Sequence, residues 1–311
     1  MNLEFYDKFK KDGYVVTEPL LDNNEIENLR LLLNEELKDY AGIIIGIEKI
    51  KNKNILKRII KIFNSQKINE KILELEKKIK KKIFLLPKFQ IHKNYHVNLK
   101  EFHGWHRDSG GELKFDYCKK ILYENDYIFS KVGVYLQQNT EYGGSIDVVQ
   151  NSHKNFTKTK ILFRKIRNLP LKAVMFLHKH FNKIYFYIPE KFFMLFLGAK
   201  KLFPSVGAAV LFDSRLIHRG SPISKNKLKE VKSINGQYHV ETTEEKIKYS
   251  LYCQLGTSDA LDSYFYDRLK RKGNADELSN WFEQIKLIEE IDNDFAQKIK
   301  NIIKPIYHKY N

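Results

Sequence analysis

Cysteine is scarce: Cys118 and Cys253 are the only two in 311 residues. Two cysteines cannot build a disulfide framework or a cysteine-based zinc site, and so low a count suits a reducing compartment. Glycine (15) and proline (7) are few, which excludes collagen-like and linker-like chains. No stretch reaches about 18 apolar residues without a charge, so no transmembrane helix is expected. The opening MNLEFYDKFKKDGY lacks an apolar run followed by small residues, so no secretory signal is read there and the cytoplasm is the expected location. Acidic residues are also short, 38 against 55 Lys and Arg, a net charge of +17. What is present in quantity is apolar: 42% of the chain is hydrophobic. That is enough for a sizeable core and excludes wholesale disorder.

The positive charge is concentrated. Residues 49–93 carry 15 Lys and Arg against 3 Glu, and residues 154–204 carry 12 against the single Glu190. The rest of the chain is mildly acidic. Two basic regions on such a body suit an anionic neighbour: a phosphorylated substrate, an anionic lipid surface or nucleic acid. The chain is also rich in Lys, Ile and Asn together, the composition an AT-rich coding sequence produces without any partner.

Along the chain, residues 3–12 read as a short helix broken by Gly13, and 13–20 as a β-rich segment. A helix follows to about residue 40, with Asp22 or Asn23 as its cap and Glu25 and Glu27 at its positive end. Residues 66–82 read as an amphipathic helix on Ile68, Ile72, Leu75 and Ile79, ended by Pro87. The lysine-rich 49–93 region reads as solvated surface. From residue 88 the texture changes. Segments 89–98, 131–138, 144–149, 206–213 and 247–255 are short, rich in β-branched and aromatic residues and separated by turn signals such as Tyr142-Gly143-Gly144. That pattern suits an antiparallel sandwich or barrel, not a βαβ series. Residues 159–202 read as a basic, apolar helical insert, and 259–303 as mixed-charge helix.

The richest chemical cluster is Phe102-His103-Gly104-Trp105-His106-Arg107-Asp108-Ser109-Gly110-Gly111. On an extended strand His106 and Asp108 share a face, so an imidazole and a carboxylate can grip one cation. Two ligands are too few. The best third is His218, which follows the apolar strand Gly207 to Asp213; His92, His96, His103 and His153 are rivals. Two His and one carboxylate form a facial triad, which leaves three positions open on iron(II) for a bidentate cosubstrate and O₂.

Four blocks in order resemble the phytanoyl-CoA dioxygenase family of iron(II)/2-oxoglutarate oxygenases. They are Asp12-Gly13-Tyr14-Val15-Val16; Trp105-His106-Arg107-Asp108; Val132 to Asn139 with Gly143-Gly144-Ser145-Ile146 and Asn151-Ser152-His153-Lys154; and Gly207 to Leu211 with Phe212-Asp213-Ser214-Arg215-Leu216-Ile217-His218-Arg219-Gly220-Ser221. The resemblance implies a mainly β core with flanking helices: a double-stranded β-helix, the cupin-like jelly roll of two packed antiparallel sheets, within a single oxygenase domain. Its parts would be a helical N-terminal region (1–88), core segments (89–158 and 203–258), the basic insert or lid (159–202) and C-terminal helices (259–311). It also implies Fe(2+) on His106, Asp108 and His218, with His153 structural.

The family normally carries an Arg about eleven residues after the distal His, which pairs bidentately with the far carboxylate of 2-oxoglutarate. Lys229 stands at that interval, but Lys248 to Leu255 resembles the strand that begins with the Arg. On that alignment 224–246 is an insertion and Lys248 takes the place of the Arg, a point charge for a planar fork. Tyr135 and Lys93 are the further residues expected at the cosubstrate, with Arg219 as another alternative. The implied reaction consumes 2-oxoglutarate and O₂, yields succinate and CO₂ and hydroxylates a substrate C–H. Halogenating relatives lose the carboxylate ligand, so Asp108 favours hydroxylation; desaturation, ring closure and epimerisation use the same ligands. The expected substrate is a small or carrier-linked (sugar- or lipid-linked) metabolite, anionic if the basic regions meet it. Tyr135, Gln137, Phe115 and the insert's aromatics are the candidates to shape its pocket. Residues 159–202 interleave aromatics with lysines, as a lid does, and as does a segment in peripheral contact with an anionic membrane; nucleic acid ranks below, since no zinc-finger or RNA-binding signature is present. The competing class is a non-catalytic jelly-roll relative that binds an anionic ligand, a membrane surface or nucleic acid.

Overall fold

The computed structural model describes residues 4–40, 44–94, 106–110, 115–124, 126–137, 144–156, 198–221, 231–234, 237–240, 247–272 and 275–310. The basic insert expected at 159–202, apart from its last few residues, therefore lies outside the described residues, as do His96, His103 and Lys229.

The strands are β1 (Tyr14–Pro19), β2 (Ile44–Gly46), β3 (Ile83–Asn94), β4 (Phe129–Tyr135), β5 (Ile146–Val149), β6 (Ala199–Lys201), β7 (Ala208–Asp213), β8 (Ile217–Gly220), β9 (Val231–Ile234), β10 (Gln237–Val240) and β11 (Lys248–Thr257). Six form an antiparallel sheet in the order β1-β7-β4-β11-β3-β2. Three form a smaller one, β6-β5-β8, and β9 pairs with β10 as a separate hairpin inside the expected 224–246 insertion. The two larger sheets face each other, and their inner residues Tyr14, Tyr135, Val210 and Phe212 pack on Ile146 and Val148. This is the expected jelly-roll core with flanking helices. It reaches further toward the N-terminus than residue 89, because β1, β2 and the start of β3 belong to the large sheet.

Side chains alternate across a strand, and that alternation separates two environments. Val132 and Val134 on β4, Leu251, Cys253 and Leu255 on β11, Ala209 and Leu211 on β7 and Ile91 on β3 point outward into the main core. Helices cover that face: α2 (Asn23–Glu36), α3 (Lys53–Phe63), α4 (Gln66–Ile79), α6 (Ser258–Lys272), α7 (Ala275–Glu289) and α8 (Asn293–Tyr310), with α1 (Glu4–Asp12) and α5 (Asp116–Leu122) at its margins. Asp22 starts α2 through a capping box: its Oδ1 accepts from the Glu25 N–H at 2.8 Å and Glu25 Oε2 accepts from the Asp22 N–H at 3.2 Å.

Two sequence expectations are corrected here. The 49–93 region is half core, not surface: α3 exposes Lys53, Lys57 and Lys61 but buries Ile55, Leu56, Ile59, Ile60, Ile62 and Phe63. Nor does Pro87 end a helix. Helix α4 stops at Ile79, with Lys80 in the left-handed conformation, and Pro87 lies inside β3 where the register to β11 slips between Gln90–Tyr252 and Leu86–Gln254. A bulge is where a strand tolerates a residue without an N–H. Gln284 of α7 serves the backbone there: its Oε1 accepts from the Phe89 N–H at 2.8 Å and its Nε2 donates to the Phe89 carbonyl at 3.3 Å.

Candidate metal centre

His106 and His218 are brought together by backbone pairing. Each N–H donates to the other's carbonyl, at 2.9 and 3.0 Å, as an isolated antiparallel bridge. Such a pair directs both side chains to one face, and the two rings lie 4.3 Å apart, centroid to centroid. Two residues on, the chain tightens into a 3₁₀ turn, Asp108–Gly110, anchored by the Ser109 N–H on the Ser214 carbonyl at 3.1 Å. The turn aims Asp108 back at both rings: His106 Nε2 is 3.7 Å from Oδ1 and His218 Nε2 is 3.8 Å from Oδ2. One ligand atom from each residue falls within 4.8 Å of the other two, a group of three able to hold a metal ion.

The donor set suits that use. His218 Nδ1 is 3.0 Å from the Leu216 carbonyl; a carbonyl only accepts, so the proton sits on Nδ1 and Nε2 keeps its lone pair for a metal. Asp108 Oδ2 is buried and accepts no hydrogen bond among the described residues, which leaves its lone pairs open to a metal ion. His218 and Asp108 are shielded, whereas His106 is more than half exposed and opens the cluster on one side. Burial raises the Asp108 carboxyl, but Lys131 and then His218 and His106 outweigh it and hold it well below the usual carboxylate range. Burial pushes His218 down to about 4, so the imidazole is neutral and metal-ready at pH 7.

A network behind the cluster holds it in place. Arg215, in the turn before β8, clasps Asp213 with Nε on Oδ1 at 2.9 Å and Nη2 on Oδ2 at 2.6 Å, and donates to the Leu122 carbonyl at 3.0 Å. Arg107 Nε donates to the Arg215 carbonyl at 2.7 Å, and the hydroxyls of Ser109, Ser214 and Tyr127 meet one another. The His106–Asp108 segment and the turn before His218 are thus tied at three points.

The large sheet's inner face runs away from this cluster. Across it stand Lys131, Gly133 and Tyr135 of β4, paired with Gln254, Tyr252 and Ser250 of β11, which are followed by His92 of β3 opposite Ser250. The Tyr135 and Tyr252 hydroxyls are 3.1 Å apart. Tyr252 fills the space over Gly133, where a Cβ would come within 2.4 Å of its ring.

Of the residues expected at the cosubstrate, Tyr135 and Lys248 are buried on this inner face. The Lys248 stem runs against Gly144, whose φ of +92° and missing Cβ make room for it. Burial, then Arg30, lowers its ammonium to about 8. Lys93 does not join them. One residue beyond His92 it points to the opposite face, where its ammonium donates to the carbonyls of Leu37 and Tyr40 behind α2. Arg219 is likewise turned away from His218 and donates to Asp147 Oδ2 at 2.9 Å. Among the rival ligands, the His92 ring packs at a tilt against Tyr252, 4.2 Å between centroids, and His153 Nε2 donates to the Lys10 carbonyl at 3.0 Å. Gln137 accepts from Arg30 and the Tyr249 N–H, and Phe115 packs edge-on against Tyr266. Sequence reading missed Lys131, Tyr252 and Gln254; the signal available for them was the period-two phase of the strands at 131–138 and 247–255.

No family model matches the sequence, and no curated protein matches it. Among solved structures it is similar to EctD from S. alaskensis with bound Fe, at 13% identity over 84% of this chain and 78% of that one, with a TM-score of 0.47. It is also similar to the non-heme alpha ketoglutarate dependent epimerase SnoN from nogalamycin biosynthesis (11%, 82% and 83%, 0.43) and to AviO1 from Streptomyces viridochromogenes Tue57 (12%, 81% and 92%, 0.44). At that distance the chemistry has to be read from this chain's own His–Asp–His cluster and the two sheets that hold it.

Proposed function

We propose that the protein is an iron(II)- and 2-oxoglutarate-dependent dioxygenase that hydroxylates an aliphatic C–H of a small or carrier-linked metabolite. The observation that carries this reading is the His106–Asp108–His218 group between two facing antiparallel sheets, with a buried Asp108 oxygen that accepts no hydrogen bond among the described residues. Iron bound there would couple conversion of 2-oxoglutarate and O₂ to succinate and CO₂ with insertion of one oxygen into the substrate.

The chain's own residues hold, orient and shield. His106, Asp108 and His218 are the three ligands, and the Asp213–Arg215 clasp fixes the approach of His218. Lys248 supplies the positive charge for the far carboxylate of 2-oxoglutarate, and Tyr135, hydroxyl-bonded to Tyr252, lines its path. Phe212, 4.7 Å from the His218 ring, and Val210 form a dry wall on the other side. The exposed side of His106 is the way in for substrate.

The test is an anaerobic titration of metal-free protein with iron(II) and 2-oxoglutarate, which follows the weak visible charge-transfer band of the chelate. A saturable band that His106→Ala abolishes supports the reading; no band from folded, iron-supplied protein overturns it. Lys248→Ala is expected to weaken 2-oxoglutarate at least about tenfold, roughly 1.4 kcal/mol. In the wild type, affinity for the carboxylate should fall as pH rises through about 8, where the Lys248 ammonium loses its proton.

A further inference from the structure

Lys131 stands where a metal site has no use for it. Its ammonium is 3.6 Å from Asp108 Oδ2 and 5.2 Å from the centre of the Tyr252 ring, with only 17% of the side chain exposed. A fixed cation beside a ligand carboxylate repels the divalent ion that carboxylate is meant to hold. The arrangement makes sense if an anion joins the metal. A divalent ion on one carboxylate keeps a single positive charge, while an acid with two carboxylates brings two negative ones, one at the metal and one at its far end; an ammonium beside each end leaves neither carboxylate uncompensated in a poorly hydrated place. The wall around Lys131 also wants a polar occupant. Gln254 lies directly across from it in the β4–β11 register, and Gln254 Oε1 is buried with no partner among the described residues. His92 Nε2, on the ring that packs against Tyr252, is in the same state.

Resting on the dioxygenase reading, we infer that Lys131 is the receptor for the metal-proximal carboxylate of the chelating 2-oxo acid. Lys248, which enters the inner face four residues before Tyr252, takes the far carboxylate. The two lysines divide one dianion between them, and Tyr135 and Tyr252 lie along the face that separates them. This assigns Lys131 a binding role no other described residue fills: it is the one lysine within 4 Å of a member of the metal group among the ion pairs of the described residues.

The experiment separates the two ends of the acid. Protein loaded with Mn(II) is titrated by calorimetry with 2-oxoglutarate and with 2-oxobutyrate, which keeps the chelating end and lacks the far carboxylate. Lys131→Met and Lys131→Gln should bind Mn(II) alone at least as tightly as wild type, yet lose at least tenfold in affinity for both acids. Lys248→Met should lose affinity for 2-oxoglutarate only. A second readout needs no variant: amine-directed acylation of wild-type Lys131, read by peptide mass, should be suppressed by Mn(II) with 2-oxobutyrate and not by Mn(II) alone. Unchanged affinity for both acids in the Lys131 variants, or loss confined to 2-oxoglutarate, overturns the inference and leaves the dioxygenase reading standing. Wild-type protein that binds Mn(II) and neither acid overturns the reading itself.

Discussion

The space between the two sheets has two halves that differ in chemistry on the same pleated frame. On the β1–β7 side, Tyr14, Val210 and Phe212 close against Ile146, Val148, Leu202 and Leu216, all buried. On the β3–β11–β4 side, His92, Tyr252, Gln254, Lys131 and Tyr135 stand in the equivalent inward positions, and two of their buried polar atoms have no partner among the described residues. The first half contributes to stability as any core does. The second costs stability, since buried polar groups without partners are unfavourable, and that cost is what a ligand can recover on binding. The metal group sits where the halves meet: Phe212 touches the His218 ring and Lys131 faces Asp108.

The sharpest way to break the contrast is at the junction. Asp108→Ala removes the carboxylate from the three-ligand group and should abolish Mn(II) binding by calorimetry, with the fold retained by circular dichroism; retained binding would remove Asp108 from the site. Within the apolar half, Ile146→Ala should cost about 2–5 kcal/mol in urea unfolding and leave metal affinity unchanged. A value below about 1 kcal/mol would show that this half is not the closed core its burial indicates.

Acid should attack the polar half. Burial lowers His218 to about 4 and His92 to about 3 from 6.5. Between those values and 6.5 the unfolded chain binds protons that the folded one refuses. Metal-free protein should therefore lose stability as pH falls below about 6.5, with the His218 contribution reaching its limit near 4 and amounting to about 3 kcal/mol at most. A flat urea midpoint from pH 7 to 4.5 would show that these rings are not held neutral. The smallest effect is expected at Tyr252→Phe. It removes one hydroxyl from the Tyr135 pair and should cost about 1 kcal/mol, while the ring stays over Gly133. A much larger loss would make Tyr252 a core residue and blur the division.

Local pattern in the chain reached far into this architecture. The alternation in 131–138 and 247–255 marked β4 and β11, Asp22 with Glu25 marked the start of α2, and the His106–Asp108 pair with His218 marked the metal group. Each of those signals lies within a few residues or within one recognisable block. What stayed hidden depended on partners far along the chain. Pro87 reads as a helix stop in isolation, yet it sits at a slip in the pairing of β3 with the distant β11, where Gln284, 197 positions later, serves the neighbouring backbone at Phe89. Lys93 and His92 are adjacent, and which of them faces the site was set by the register of β3 on β11.

Determined by the sequence alone were the residue types of the metal group, the β character of the core and the exclusion of a disulfide framework, because these follow from side-chain identity and short-range period. Left to the tertiary structure were the 4.3 Å meeting of His106 and His218, the outward turn of Lys93 and Arg219, and the placement of Lys131 beside Asp108. The physical reason is that a pleated strand offers two faces of equal local merit. Only pairing with strands distant in sequence decides which face looks into the cavity and which into the helices.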